Sequence, residues 1–269
     1  MMKDSIFETL REAIHQGDPI ALATVIDGEG RGSKLLLHSD GSKSGTLGND
    51  ALDRVVTRDM SGELAAGQSG IRHYGVNGEA REESVSIFIE SFAPPPQMLI
   101  FGAVDFTAAL VRVAKVLGYH VTVCDARAVF ATAERFPQAD VVEAMWPDKL
   151  LETVGASLGV RDVVCVLTHD NKFDVPAITS ALKTEVGYIG VMGSRKTHEN
   201  RTLRLREAGV TEDEFQRIMS PIGLDLGART PEETAISICA EIIALRTGRN
   251  APNLKEADGP IHGPSSKSI

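Results

Sequence analysis

The chain has 269 residues, enough for about two domains of ordinary size. Its formal net charge of −9 argues against a surface built to wrap nucleic acid or lie on anionic lipid. No apolar run approaches the ~20 residues of a bilayer-spanning helix, and the acid-bearing first residues lack a cleavage pattern, so a membrane anchor and a secretory signal are not expected.

In chain order, Ile6, Phe7, Leu10 and Ile14 recur at helical spacing and predict a first helix, stopped by Gly17-Asp18-Pro19. Ile20 to Ile26 and Lys34 to His38 read as short strands joined by the Gly-rich stretch Gly28 to Ser33. A helix is expected from Asn49 to about Met60. Ile71 to Val76 and Ser84 to Phe92 then form the arms of a hairpin, with Asn77-Gly78 tolerating the positive φ of a tight turn. This first part, residues 1–92, is a small α+β module. Ala93-Pro94-Pro95-Pro96 follows, a stiff segment without backbone donors at its prolines.

Residues 98–249 change character. Met98 to Phe101, His120 to Cys124, a short Val141-Val142, Asp162 to Leu167 and Val186 to Met192 are apolar strands. Helices separate them at about Phe106–Leu117, after Pro147, at Asp174–Lys183, at His198–Ala208 and at Thr211–Ile218. Thr230-Pro231-Glu232-Glu233 opens a last helix with a cap, a first-position proline and a capping-box acid, and Gly248 ends it. Continuous apolar strands alternating with helices predict a parallel sheet covered on both faces, a Rossmann-like α/β domain. Residues 250–269, rich in Gly, Pro, Ser and charge, read as a flexible tail.

Ligands of such sheets lie beyond the carboxyl ends of the strands. Polar or glycine clusters converge there: Gly102-Ala103-Val104-Asp105, Asp125-Ala126-Arg127, Thr168-His169-Asp170 and Gly193-Ser194-Arg195-Lys196. The first departs from a dinucleotide fingerprint, because Val104 stands where a second glycine would let a pyrophosphate approach. Asp105 beside it opposes an anion, or serves as a helix cap. Asp125 lies about 20 residues after Gly102, where an acid binding ribose hydroxyls is expected, or it caps a turn. Arg127 reads as a phosphate contact or a solvated cation. The cluster Gly193 to Lys196 combines a glycine, a hydroxyl, two cations and a helix start, which suits an anion, although a basic surface corner has the same composition. His169 and Asp170 suit an acid/base pair, or with Asp174 a weak metal site; no metal is assigned. Asp225, in PIGLDLGA, sits in a tight loop expected to approach the same region or simply to lead into the last helix. Cys124, Cys165 and Cys239 each lie in an apolar run without CxxC spacing and read as buried free thiols in a reducing cytoplasm.

The ordered set FGAVDFTAALVRVAKVLGYHVTVCDAR, VLTHDNKFD, YIGVMGSRK and PIGLDLGARTPEETA, preceded by ALATVIDGEGRGSKLLLHSDGSKSGTLG, resembles the XdhC/CoxI-like proteins over about residues 10–248. These are accessory factors of molybdenum hydroxylases such as xanthine dehydrogenase and carbon monoxide dehydrogenase. The resemblance implies a chaperone-like, cytoplasmic maturation factor that binds molybdenum cofactor, assists its sulfuration and delivers it to an apo molybdenum hydroxylase. It also implies a cysteine desulfurase as sulfur source and self-association into a homo-oligomer. Many members carry glycine-glycine-cysteine after the first-domain glycine motif; here the run from Gly45 to Leu52 has no cysteine. Many also carry glycine-histidine where Val104-Asp105 stand. The competing readings are an NAD(P)-dependent oxidoreductase using Asp125 and His169, and a protein that serves only as an interaction module.

Overall fold

The computed structural model describes residues 6–79, 82–168 and 170–256. Its contacts cluster into two units that divide between Pro94 and Pro95.

The first unit runs α1 (Ile6–Gln16), β1 (Ile20–Asp27), β2 (Lys34–His38), β3 (Lys43–Thr46), α2 (Asp50–Ala66), β4 (Gly70–Tyr74) and β5 (Val85–Phe92). The strands form one antiparallel sheet in the order β3-β2-β1-β5-β4. β1 is buried on both sides because its alternate residues meet different helices. Ala21, Ala23 and Val25 pack with Val56, Met60 and Leu64 of α2, whereas Ile20 and Leu22 pack with Ala13 of α1. α2 begins where Asn49 accepts the Leu52 amide at 2.9 Å and ends at Gly67 in the left-handed region. It runs a full turn and more past the expected Met60. β3 was not expected: its sequence, KSGT, is short and polar and lies at the sheet edge with little burial.

The second unit runs β6 (Gln97–Phe101), α3 (Asp105–Val116), β7 (His120–Cys124), β8 (Val141–Glu143), α4 (Pro147–Val154), β9 (Val163–Val166), α5 (Asn171–Leu182), β10 (Tyr188–Val191), α6 (Arg195–Glu207), α7 (Glu212–Phe215), β11 (Ile218–Met219) and α8 (Pro231–Thr247). Its sheet is six-stranded and parallel, ordered β11-β10-β9-β6-β7-β8. Alternation again sorts the core. Met98 and Ile100 face α3 and α8, while Leu99 and Phe101 face α4 and α5. The start of α8 has the expected chemistry: Thr230 Oγ1 accepts the Glu233 amide at 3.1 Å and Glu233 Oε2 accepts the Thr230 amide at 3.1 Å. The helix expected to reach Ile218 stops at Phe215 instead. Ile218 and Met219 leave it to pair with β10, because their apolar side chains extend the sheet. The part of the expected tail beyond Glu256 lies outside the described residues. No helix among the described residues is long and apolar enough to cross a membrane.

Candidate functional site

Strand order reverses between β6 and β9, so the crevice of this sheet opens where those two strands end. Gly102 follows β6 with φ +115°, and a Cβ there would lie 2.8 Å from Thr168 Cγ2 and 3.0 Å from the Thr168 amide nitrogen. Only glycine lets the two strand ends pass this closely. Thr107, in the first turn of α3, donates its hydroxyl to the Gly102 carbonyl. Val104 is the residue before the helix, and Asp105 is its first residue and exposed. Asp105 is therefore not the cap; Thr107 does the local bonding.

The Ala103 peptide is held from both sides. Its amide donates to Asp125 Oδ2 at 2.8 Å, and its carbonyl accepts from Arg135 Nη1 at 3.1 Å. Asp125 is further committed to Arg127, which donates its amide at 2.9 Å, Nε at 2.9 Å and Nη2 at 2.7 Å. Burial works to raise the Asp125 carboxyl. The Arg127 side chain and the two amides outweigh it and hold the group below the usual carboxylate range. The Asp125 carboxylate is thus bonded to its own loop and to the Ala103 amide of the turn after β6.

The other half of the edge is built differently. Thr168 donates its hydroxyl to Asp174 Oδ1. Asp174 Oδ2 accepts from Arg201 Nε at 3.1 Å and Nη2 at 2.8 Å, and Nη2 also donates to the Met192 carbonyl at 2.9 Å. Both charged side chains are almost wholly buried. Arg201 Nη1 is buried with no hydrogen-bond partner among the described residues. Immediately after Met192, Gly193 has φ +154°, and a Cβ there would meet Thr197 Cβ at 3.2 Å and Arg201 Nη2 at 3.4 Å. Ser194 then caps α6, accepting the Thr197 amide at 3.1 Å. The amides of Arg195 and Lys196 fall in the first turn, where no preceding helical carbonyl exists to receive them. Lys196 is exposed beside them. Glycine, hydroxyl and first-turn amides therefore meet at one helix start that also carries the exposed Lys196, an arrangement suited to an anionic oxygen cluster.

Asp170 is exposed and caps α5 by accepting the Lys172 amide at 3.0 Å. That accounts for it as a helix start; His169 lies outside the described residues, and Arg195 is described by its backbone alone. The loop before α8 does reach the end of β10, since the Ile222 amide donates to the Val191 carbonyl at 3.1 Å. Asp225 itself is exposed. Cys124, Cys165 and Cys239 are buried and unpaired. Burial pushes the Cys124 and Cys239 thiols up to about 12 and Cys165 well above its ordinary value. Among the described residues no group of three or more His, Cys, Asp or Glu could hold a metal ion. Sequence reasoning missed Arg201 and Arg135. Arg201 sits in RKTHENRTLRLRE, where nothing in the polar pattern marks one arginine as buried.

A six-stranded parallel sheet with helices on both faces and a strand-order reversal between β6 and β9 defines a Rossmann-type α/β fold. Its family follows from comparison with known proteins. Residues 98–242 match the XdhC Rossmann domain and residues 13–75 match the XdhC and CoxI family, and the chain belongs to that family. It is 28% identical to the uncharacterized protein YqeB of Escherichia coli over 92% of this chain and 47% of that one. It is 33% identical to a Bacillus subtilis protein described as a probable xanthine dehydrogenase component, over 61% of this chain and 47% of that one. It is 30% identical to the molybdenum cofactor insertion chaperone PaoD of Escherichia coli, over 35% and 30%. The chain spans about half the length, or less, of these curated relatives. A crystal structure described as a xanthine dehydrogenase from Bacillus halodurans shares the fold, with a TM-score of 0.55 and 22% identity over 93% of this chain and 97% of that one.

Proposed function

We propose that this protein is an accessory factor in the maturation of a molybdenum hydroxylase. In this reading it binds molybdenum cofactor at the carboxyl edge of the parallel sheet and assists its sulfuration or its insertion into the apo-enzyme. The observation that carries the reading is the turn from Gly193 to Lys196. It presents the first-turn amides of α6, the Ser194 hydroxyl and the exposed Lys196 at one helix start, beside the buried Arg201, whose Nη1 has no hydrogen-bond partner among the described residues. A phosphate-bearing ligand fits that donor set. Family membership and the likeness to a cofactor insertion chaperone support the choice of ligand.

Bound cofactor would supply the molybdenum centre and its exchangeable sulfur; the residues here bind and orient a phosphate. Cys124, Cys165 and Cys239 are buried, and burial raises each thiol. In this reading a partner such as a cysteine desulfurase is the source of the sulfur. Gly102, Asp105, Asp125, Arg127, Thr168 and Asp225 are the candidate ligand neighbours at this edge; His169 and Asp170 stay, on sequence grounds, the candidate acid/base groups. An NAD(P)-dependent oxidoreductase finds less to use, because Asp125 and the Ala103 amide are already bonded to each other.

The test is elemental and functional. Gently purified protein is expected to carry molybdenum and a pterin, and to raise the activity of an apo-hydroxylase. Arg195→Ala and Lys196→Ala are each expected to weaken cofactor binding roughly 10- to 150-fold, the range for a lost charge-assisted contact, with thermal stability nearly unchanged. Protein that ignores molybdopterin and binds NADPH tightly would overturn the reading.

A further inference from the structure

The long connection after β7 is ordered by a ladder of alternating rings and guanidinium groups. Trp146 and Phe173 lie with ring centroids 4.9 Å apart, tilted by 37°. The Arg127 guanidinium carbon is 5.9 Å from the Phe173 centroid and 4.7 Å from that of Phe130. The Arg135 guanidinium is 5.5 Å from Phe130 and 5.3 Å from Phe136. The sequence distances are large, yet three strand ends contribute: Arg127 to Phe136 follow β7, Trp146 follows β8, and Phe173 stands in the first turn of α5 after β9. Asp125 takes the in-plane Nε and Nη2 of Arg127, which leaves the flat faces of that guanidinium to the rings.

The two ends of the ladder differ. Phe136 is closed into the core at 3% exposure, whereas Trp146 is 46% exposed at the edge where the strands end. Phe130 is also 40% exposed. The exposed indole leaves a flat apolar face at the strand edge that a second ring would cover. Arg135 and the Arg127–Asp125 pair also clasp Ala103 from opposite sides, which ties the ladder to the turn after β6.

We infer that the Trp146 end of this ladder is a stacking subsite for a planar heteroaromatic ring carried by the ligand, a pterin or a nucleobase. The inference rests on the carboxyl edge being the ligand site, as proposed above. Arg127 is then a positioning residue, held by Asp125 so that its cationic face lies against the rings. Stacking on aromatic side chains tolerates any flat ring and contributes roughly 5- to 150-fold in affinity per ring.

Trp146 is the chain's single tryptophan, so its fluorescence reports on this position alone. The full chain is titrated with guanosine monophosphate and with a pterin, and in parallel with ribose 5-phosphate and pyrophosphate. Saturable quenching by the ring-bearing probes and none by the ring-free ones is expected. Phe173→Leu and Phe130→Leu, which keep apolar volume and lose the ring, are each expected to weaken the ring-bearing probes about tenfold and to leave pyrophosphate binding unchanged. Quenching that does not depend on the ring, or variants that shift all probes alike, would reduce the ladder to a loop-folding device and overturn the inference. Molybdenum content of the purified protein is read separately. Ring-dependent quenching in protein that carries none would keep this subsite and sink the cofactor assignment; molybdenum without ring-dependent quenching would do the reverse.

Discussion

Asp174 on α5 and Arg201 on α6 form an ion pair at 2.8 Å with side chains 1% and 2% exposed. Through Thr168 on one side and the Met192 carbonyl on the other, the pair sets the spacing between the turn after β9 and the turn after β10.

Removing either charge leaves the other buried without its counter-ion, which typically costs about 3–5 kcal/mol. Asp174→Leu and Arg201→Met are each expected to lose stability on that scale. The double replacement is expected to lose clearly less than the sum, because no lone charge remains. Urea denaturation of the four proteins measures it, and strict additivity would show the pair to be uncoupled.

The turn at Gly193 is expected to resist a side chain. Its φ of +154° and the 3.2 Å approach to Thr197 Cβ predict that Gly193→Ala costs about 1–3 kcal/mol. Ser194→Ala removes the cap of α6 and is expected to cost about 1 kcal/mol. Thermal melts distinguish the two, and a Gly193→Ala protein as stable as the parent would show that the turn is not constrained.

The Asp125–Arg127 pair carries a pH signature. The Asp125 carboxyl in the folded protein is held below its ordinary value of 3.8, so it binds its proton less readily than in the unfolded chain. Its contribution to stability is complete above that ordinary value and is lost as pH falls below it toward the folded value. The stability gap between the parent and Asp125→Asn should therefore be constant at neutral and mildly acidic pH and narrow below about pH 4. A gap that widens on acidification would contradict the assignment.

The three cysteines are expected to be silent in the folded protein. With thiols pushed up to about 12 or further by burial, almost no thiolate exists at pH 8. An aromatic disulfide reagent should find no fast-reacting thiol in native protein and three after denaturation. Rapid native reaction of Cys124, which lies next to Asp125, would reopen a role in sulfur handling.

Much of the fold was legible because burial writes period into sequence. MLIF, VCVL and YIGVM read as parallel strands through their unbroken apolar character, and TPEE read as a helix start through cap chemistry. What could not be read was set by neighbours distant in sequence. KSGT became β3 by pairing with β2, and Ile218-Met219 became β11 by pairing with β10, neither with a pattern of its own. At the site, the glycine turn at Gly193 and the cap at Ser194 were visible as composition. The engagement of Asp125 was not, since a carboxylate at that spacing looks the same whether it awaits a ribose or holds Arg127. Arg201 was invisible for a related reason: only the packing of α6 on α5 distinguishes it from the other cations of its helix.

The double clasp on Ala103 means that the amide a dinucleotide's pyrophosphate would approach is already held by a side chain of the same domain. Replacing Val104 with glycine would widen the path for a pyrophosphate without vacating the amide that must receive it, because Asp125 already sits on that amide. The turn after β6 is thereby tied to the loop after β7, and a glycine at position 104 gains a use only once Asp125 lets go of the Ala103 amide.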